Sequence, residues 1–165
     1  MTAAGQPRKS FVAVLAVVLS LVLAVWASPA PRAATTQRVV TDPQTGLAIF
    51  GIDPVAYFTR QEPTAGREDY ELRYAGAIWR FENEGNRQAF RNDPLVYMPR
   101  FGGYDPINVA RGVATAGYPE LWVVTENRLY LFYTAQARRV FIANPAAAIA
   151  AAEAHWQKVE KGLVE

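Results

Sequence analysis

A block of this chain repeats at a fixed offset. Gly51-Ile-Asp-Pro-Val-Ala-Tyr-Phe58 returns in shortened form as Gly103-Tyr-Asp-Pro-Ile107, Arg60 as Arg111, and Thr64-Ala-Gly66 as Thr115-Ala-Gly117. The run from Gly76 to Phe81, with Arg87, Phe90 and Pro94 after it, returns as Asn127 to Phe132 with Arg138, Phe141 and Pro145. The offset is 51 or 52 residues throughout. Self-similarity of this kind means one supersecondary unit used more than once, each copy burying the apolar face the other leaves open. The fold must therefore be one that a doubled unit can close.

Period and punctuation indicate what the unit is. Tyr70, Leu72 and Tyr74 alternate with charged residues as a half-buried strand does, Ala75-Gly76 turns the chain, and Ala77 to Phe81 returns. Glu82 to Asn92 reads as a helix with Asn83 as its cap, ended by Asp93-Pro94. In the second copy Leu121 to Thr125 and Leu129 to Tyr133 are strands about the turn Glu126-Asn127, and Thr134 caps a helix to Ala143. An Ala-rich helix from Pro145 to Lys161 carries Ile149, Ala152 and Trp156 on one face. The expectation is an α+β domain over 47–161: two tandem β-hairpin–helix units, about 47–100 and 101–157, related by pseudo-twofold symmetry and closed by the C-terminal helix. A lone hairpin and helix would hardly bury a core.

The amino terminus has a different character. Arg8 and Lys9 precede the apolar run Phe11 to Ala27, followed by small residues and prolines. That is the layout of an export signal. At 17 residues the run would make a helix of about 25 Å, slightly short for the roughly 30 Å of a bilayer core. Residues 1–34 thus read as a cleaved signal peptide or an uncleaved anchor through 11–27, and 35–46 as a polar linker. Either way the domain is expected outside the cytoplasm, periplasmic or secreted, or held at the inner membrane by that anchor.

Charge and composition exclude several chemistries. The formal charge is +2, but removing Arg8, Lys9 and Arg32 from the 17 basic residues leaves 14 against 15 acidic ones. The domain thus has no basic footprint for nucleic acid. Cysteine is absent, which removes disulfides and thiolate chemistry. The serines, Ser10, Ser20 and Ser28, all lie in the leader, so cleavage there would leave no Ser–His–Asp triad. No catalytic residue is assigned.

Polar candidates remain. Asp53 and Asp105 hold equivalent positions before Pro54 and Pro106, so symmetry could bring them together with Tyr57 and Tyr104 in a ligand cleft. With His155, the single histidine, the two carboxylates would make an oxygen–nitrogen site for a divalent metal. The plainer alternative is that each Asp caps the turn before its Pro, and that His155 is a surface residue at a helix end.

The ordered set Asp53-Pro-Val-Ala-Tyr57, Tyr74-x-Gly76, Trp79-x-Phe81, Asn86-Arg87, Phe90, Asp93-Pro94 and Tyr97 resembles the YHS domain, in particular the small exported YHS domain-containing proteins of bacteria. Pro99 to Tyr104, Leu129 to Tyr133 and Trp156 extend the likeness over about 46–157. YHS modules accompany heavy-metal pumps, mercuric reductases and some oxygenases, where a cysteine pair is suspected of handling metal. Here the cysteine position of the opening motif is Ala56, and Gly102-Gly-Tyr is followed by Asp105. The resemblance therefore implies an exported, non-enzymatic binding or accessory module in the cell envelope, with no certain cofactor and a small-molecule or protein partner still to be identified. The alternative is a metal-handling protein whose Asp, His and Tyr ligands replace thiolates.

Overall fold

The computed structural model describes residues 38–163. It is an α+β domain with two small antiparallel hairpins and several helices. In chain order these are α1 (Ala56–Thr59), β1 (Arg67–Tyr74), β2 (Ala77–Phe81), α2 (Glu84–Asn92), α3 (Pro94–Tyr97), α4 (Pro106–Val109), β3 (Tyr118–Thr125), β4 (Arg128–Phe132), α5 (Ala135–Ala143) and α6 (Pro145–Lys161). The signal peptide or anchor expected over residues 1–34 lies outside the described residues.

Each element has a local cause. The hairpin turns put Ala75-Gly76 and Glu126-Asn127 at positive φ, the mirror-image turn that matches strand twist. Asn83 accepts from the Asn86 N–H and so caps α2; Thr134 does the same for Ala137 in α5. Asn144 accepts from Ala147, and Pro145 opens α6 where its missing N–H costs nothing. Gly66 and Gly117 precede the two outgoing strands, where a Cβ would stand 2.5 Å from the Arg80 backbone carbon and 2.6 Å from Leu131 Cβ. Only glycine permits that approach.

The two hairpins share one register. Arg67 pairs with Phe81 and, after a bulge, Glu71 to Tyr74 pair with Arg80 to Ala77. Tyr118 pairs with Phe132 and, after the same bulge, Trp122 to Thr125 pair with Leu131 to Arg128. Against the front of each hairpin stands one phenylalanine. The Phe90 ring centroid is 4.9 Å from Trp79 and 5.2 Å from Phe81; that of Phe141 is 4.9 Å from Tyr130 and 5.1 Å from Phe132.

Two cores result, and β4 divides them. Leu129 and Leu131 join the first core with Trp79, Phe81 and Phe90, while Tyr130 and Phe132 join the second with Phe141, Ala152 and Val159. Strand β3 follows the same alternation: Trp122 and Val124 pack on the first core, Leu121 and Val123 on the second. The back of the second hairpin therefore lies on the front of the first, and α6 covers the front of the second. Among the described residues, the back of the first hairpin, formed by Glu71, Arg73, Ile78 and Arg80, has no such cover; Arg80 instead pairs with Glu71 at 2.8 Å and Glu68 at 3.0 Å.

The stretch expected as a linker is built into this arrangement from residue 38 onward. Val39 enters the first core and Val40 the second. The Val40 N–H donates to the Gly102 carbonyl (2.8 Å), and its carbonyl accepts from the Ile49 N–H (2.9 Å). Two adjacent apolar side chains on an extended segment point to opposite sides, so one short piece of chain serves both cores.

Candidate functional site

Asp53 and Asp105 are both completely buried, and hydrogen bonding explains how. Asp53 Oδ1 accepts from the N–H groups of Val55 (2.8 Å) and Ala56 (3.4 Å); Oδ2 accepts from the Glu82 N–H (2.8 Å) and the Asn86 amide (2.6 Å). Asp105 Oδ1 accepts from Ile107 N–H and Oδ2 from Tyr133 N–H, both at 2.8 Å. Each carboxylate ties the start of a short helix to the end of the returning strand in its own half. A buried carboxylate survives when its lone pairs are used this way. Burial still raises the Asp105 carboxyl above the ordinary range, opposed by the N–H groups of Tyr133, Ile107 and Asn108 and by the charge of Arg111.

The remaining sequence candidates fall apart spatially. His155 is exposed, with Nδ1 3.0 Å from the Ala151 carbonyl of its own helix. Among the described residues, no group of three or more His, Cys, Asp or Glu could hold a metal ion. Tyr57 lies in the first core and Tyr104 in the second, so the four cleft candidates divide between the halves. The Tyr57 hydroxyl donates to the Pro119 carbonyl at 3.0 Å. Burial pushes this phenol far above its usual range, helped by the charges of Glu120 and Asp53. Burial also raises Tyr104. Both phenols are therefore neutral near pH 7, poor bases and poor metal ligands.

Two grooves stand out among the described residues. One, of about 460 Å³, is lined by Tyr57, Phe58 and Gln61 around α1 and by Trp122, Val124 and the 125–127 turn of the second hairpin. The Tyr57 and Trp122 rings meet edge to face at 5.3 Å, the geometry aromatic quadrupoles prefer. The other, of about 350 Å³, lies beside Asp105 between α4 and α5. Tyr57 and Trp122 were legible as aromatics, but their meeting was not, because Trp122 sits on the strand face that would be exposed in a single hairpin. The second groove escaped sequence reading altogether; its signal is the exchange of Asn86 for Ala137 and Glu82 for Tyr133 inside otherwise matched blocks.

No helix among the described residues is long and apolar enough to cross a membrane. Comparison with family models, curated proteins and solved structures found no match.

Proposed function

We propose that this chain is an exported, non-enzymatic binding module made of one YHS-like hairpin–helix unit used twice. The duplication is supported by the shared strand register, the paired Phe90 and Phe141, and the two aspartates with equivalent backbone donors. The packing favours a head-to-tail repeat over the twofold pair expected from the sequence. In a twofold pair like faces meet, whereas here the front of one hairpin meets the back of the next. Helix α6 then occupies the place a third hairpin would take, and the ion pairs of Arg80 give the first hairpin a polar outer face. Terminal repeats are capped in this way.

The observation that carries a binding role is the groove bounded by Phe58 and Trp122. Its size lies within the range of ligand pockets, and aromatic walls with a few polar groups suit a small planar molecule. Titration with neutral 2-naphthol, read through Trp122 fluorescence, tests it. Saturable quenching that disappears in Trp122→Phe is expected; an unchanged signal up to millimolar probe removes the groove from consideration. Cell fractionation, with mass spectrometry of the mature N-terminus, tests export, and a full-length cytoplasmic product would refute that part.

A further inference from the structure

We propose that the groove beside Asp105 binds a small planar carboxylate, held by Arg111 against an exposed tyrosine pair. This site is separate from the Trp122 groove and does not depend on it.

In the first half the equivalent region is closed by charge. Arg60, the counterpart of Arg111, is held by Glu62 at 3.3 Å and also by Glu82, and the Asn86 amide reaches in to Asp53. In the second half every one of these partners is gone. Val113 stands for Glu62, Tyr133 for Glu82 and Ala137 for Asn86. The guanidinium is retained, but among the described residues no ion pair holds Arg111 and no acid lines the groove, so Arg111 is the one charge in its described lining. Asp105, which feels that charge, has each oxygen occupied by a backbone N–H. An unopposed cation in a concave site selects an anion, and a guanidinium matches a carboxylate in two-pronged geometry.

The apolar walls fix the rest of the ligand. Tyr133 and Val140 line the groove, and each leaves nearly half of its surface in water. The Tyr133 ring stacks on Tyr118 with centroids 5.5 Å apart and planes 22° from parallel. The first half has Glu82 and Arg67 at these positions. Exchanging two charged groups for a stacked aromatic pair at the surface exposes apolar area, which is ordinarily found where something binds. A flat ring beside the tyrosines, with its carboxylate on Arg111, fills a space of about 350 Å³.

The test uses the full chain, isotopically labelled, titrated with 2-naphthoate and with its neutral analogue 2-naphthamide, and followed by amide NMR. Naphthoate is expected to shift residues 107–115 and 133–140, and naphthamide to bind at least tenfold more weakly. Arg111→Gln, at an exposed position, should weaken naphthoate at least tenfold and leave naphthamide unchanged. Equal binding of the two probes, an unaffected Arg111→Gln variant, or no shifts at millimolar probe would each overturn the proposal. Shifts confined to residues 57–61 and 122–127 would also overturn it while supporting the Trp122 groove.

Discussion

Replacing each buried aspartate by alanine separates a capping role from a metal-binding one. Asp105→Ala strands the N–H groups of Ile107 and Tyr133, and each buried donor left without a partner costs about 1–3 kcal/mol. The expected loss is about 2–6 kcal/mol, a large share of the roughly 5–15 kcal/mol that holds a domain together. Asp53→Ala strands the Val55 and Glu82 N–H groups and the Asn86 amide as well, so it should cost about 1–3 kcal/mol more. Asn86→Ala gives the first site the composition of the second, and Asp53→Ala made in that background should cost about what Asp105→Ala costs. Urea denaturation reads these differences; with a slope of about 2 kcal/mol per molar, the smallest loss still moves the midpoint by about 1 M. The losses should be the same in EDTA and in millimolar zinc, manganese or calcium. If either variant loses less than about 0.5 kcal/mol, or loses stability only when a divalent ion is present, the capping explanation fails.

Three further outcomes follow from the structure. Gly102→Ala places a Cβ 1.9 Å from the Arg38 carbonyl oxygen at φ 63°, whereas Gly112→Ala meets nothing within 4 Å at φ 79°. By thermal melting the second should cost about 1 kcal/mol, the backbone term alone, and the first well over twice that; equal losses would contradict the seating of residues 38–40. Leu131→Arg gives the back of the second hairpin the residue found at Arg80, and burying that charge without a partner should cost several kcal/mol. The converse Arg80→Leu, which loses only surface ion pairs, should cost about 1 kcal/mol or less in urea titrations. The folded Asp105 carboxyl is raised, so the native state holds its proton more tightly than the unfolded chain. Wild-type stability relative to Asp105→Asn should then be greatest below the ordinary aspartate value of about 3.9 and fall as pH rises through the folded value. A difference that grows with pH refutes this assignment.

The sequence displayed its hairpins, caps and last helix because each rests on local chemistry. The alternation of Tyr70, Leu72 and Tyr74, the turn residues, the Asn83 and Thr134 caps and the Asn144-Pro145 start need only their neighbours. What it concealed was the relation between the halves. The signal was present: Glu71, Arg73, Ile78 and Arg80 return as Trp122, Val124, Leu129 and Leu131, a polar strand face turned apolar. Asp53 and Asp105 hold matched positions in the sequence, and in the structure each accepts from backbone donors of its own half. The seating of residues 38–40 was not legible, since two valines among polar residues give no periodicity until Gly102 is there to receive them.

The face-to-back stacking of the halves is most directly tested by proton–proton NOEs between aromatic rings and methyl groups. Cross-peaks from the Trp122 ring to Tyr57, and from the Leu129 or Leu131 methyls to the rings of Trp79, Phe81 and Phe90, are the expected result. Cross-peaks joining Trp79 and Phe81 to Tyr130 and Phe132 instead would mean that like faces meet, and the head-to-tail repeat would be wrong.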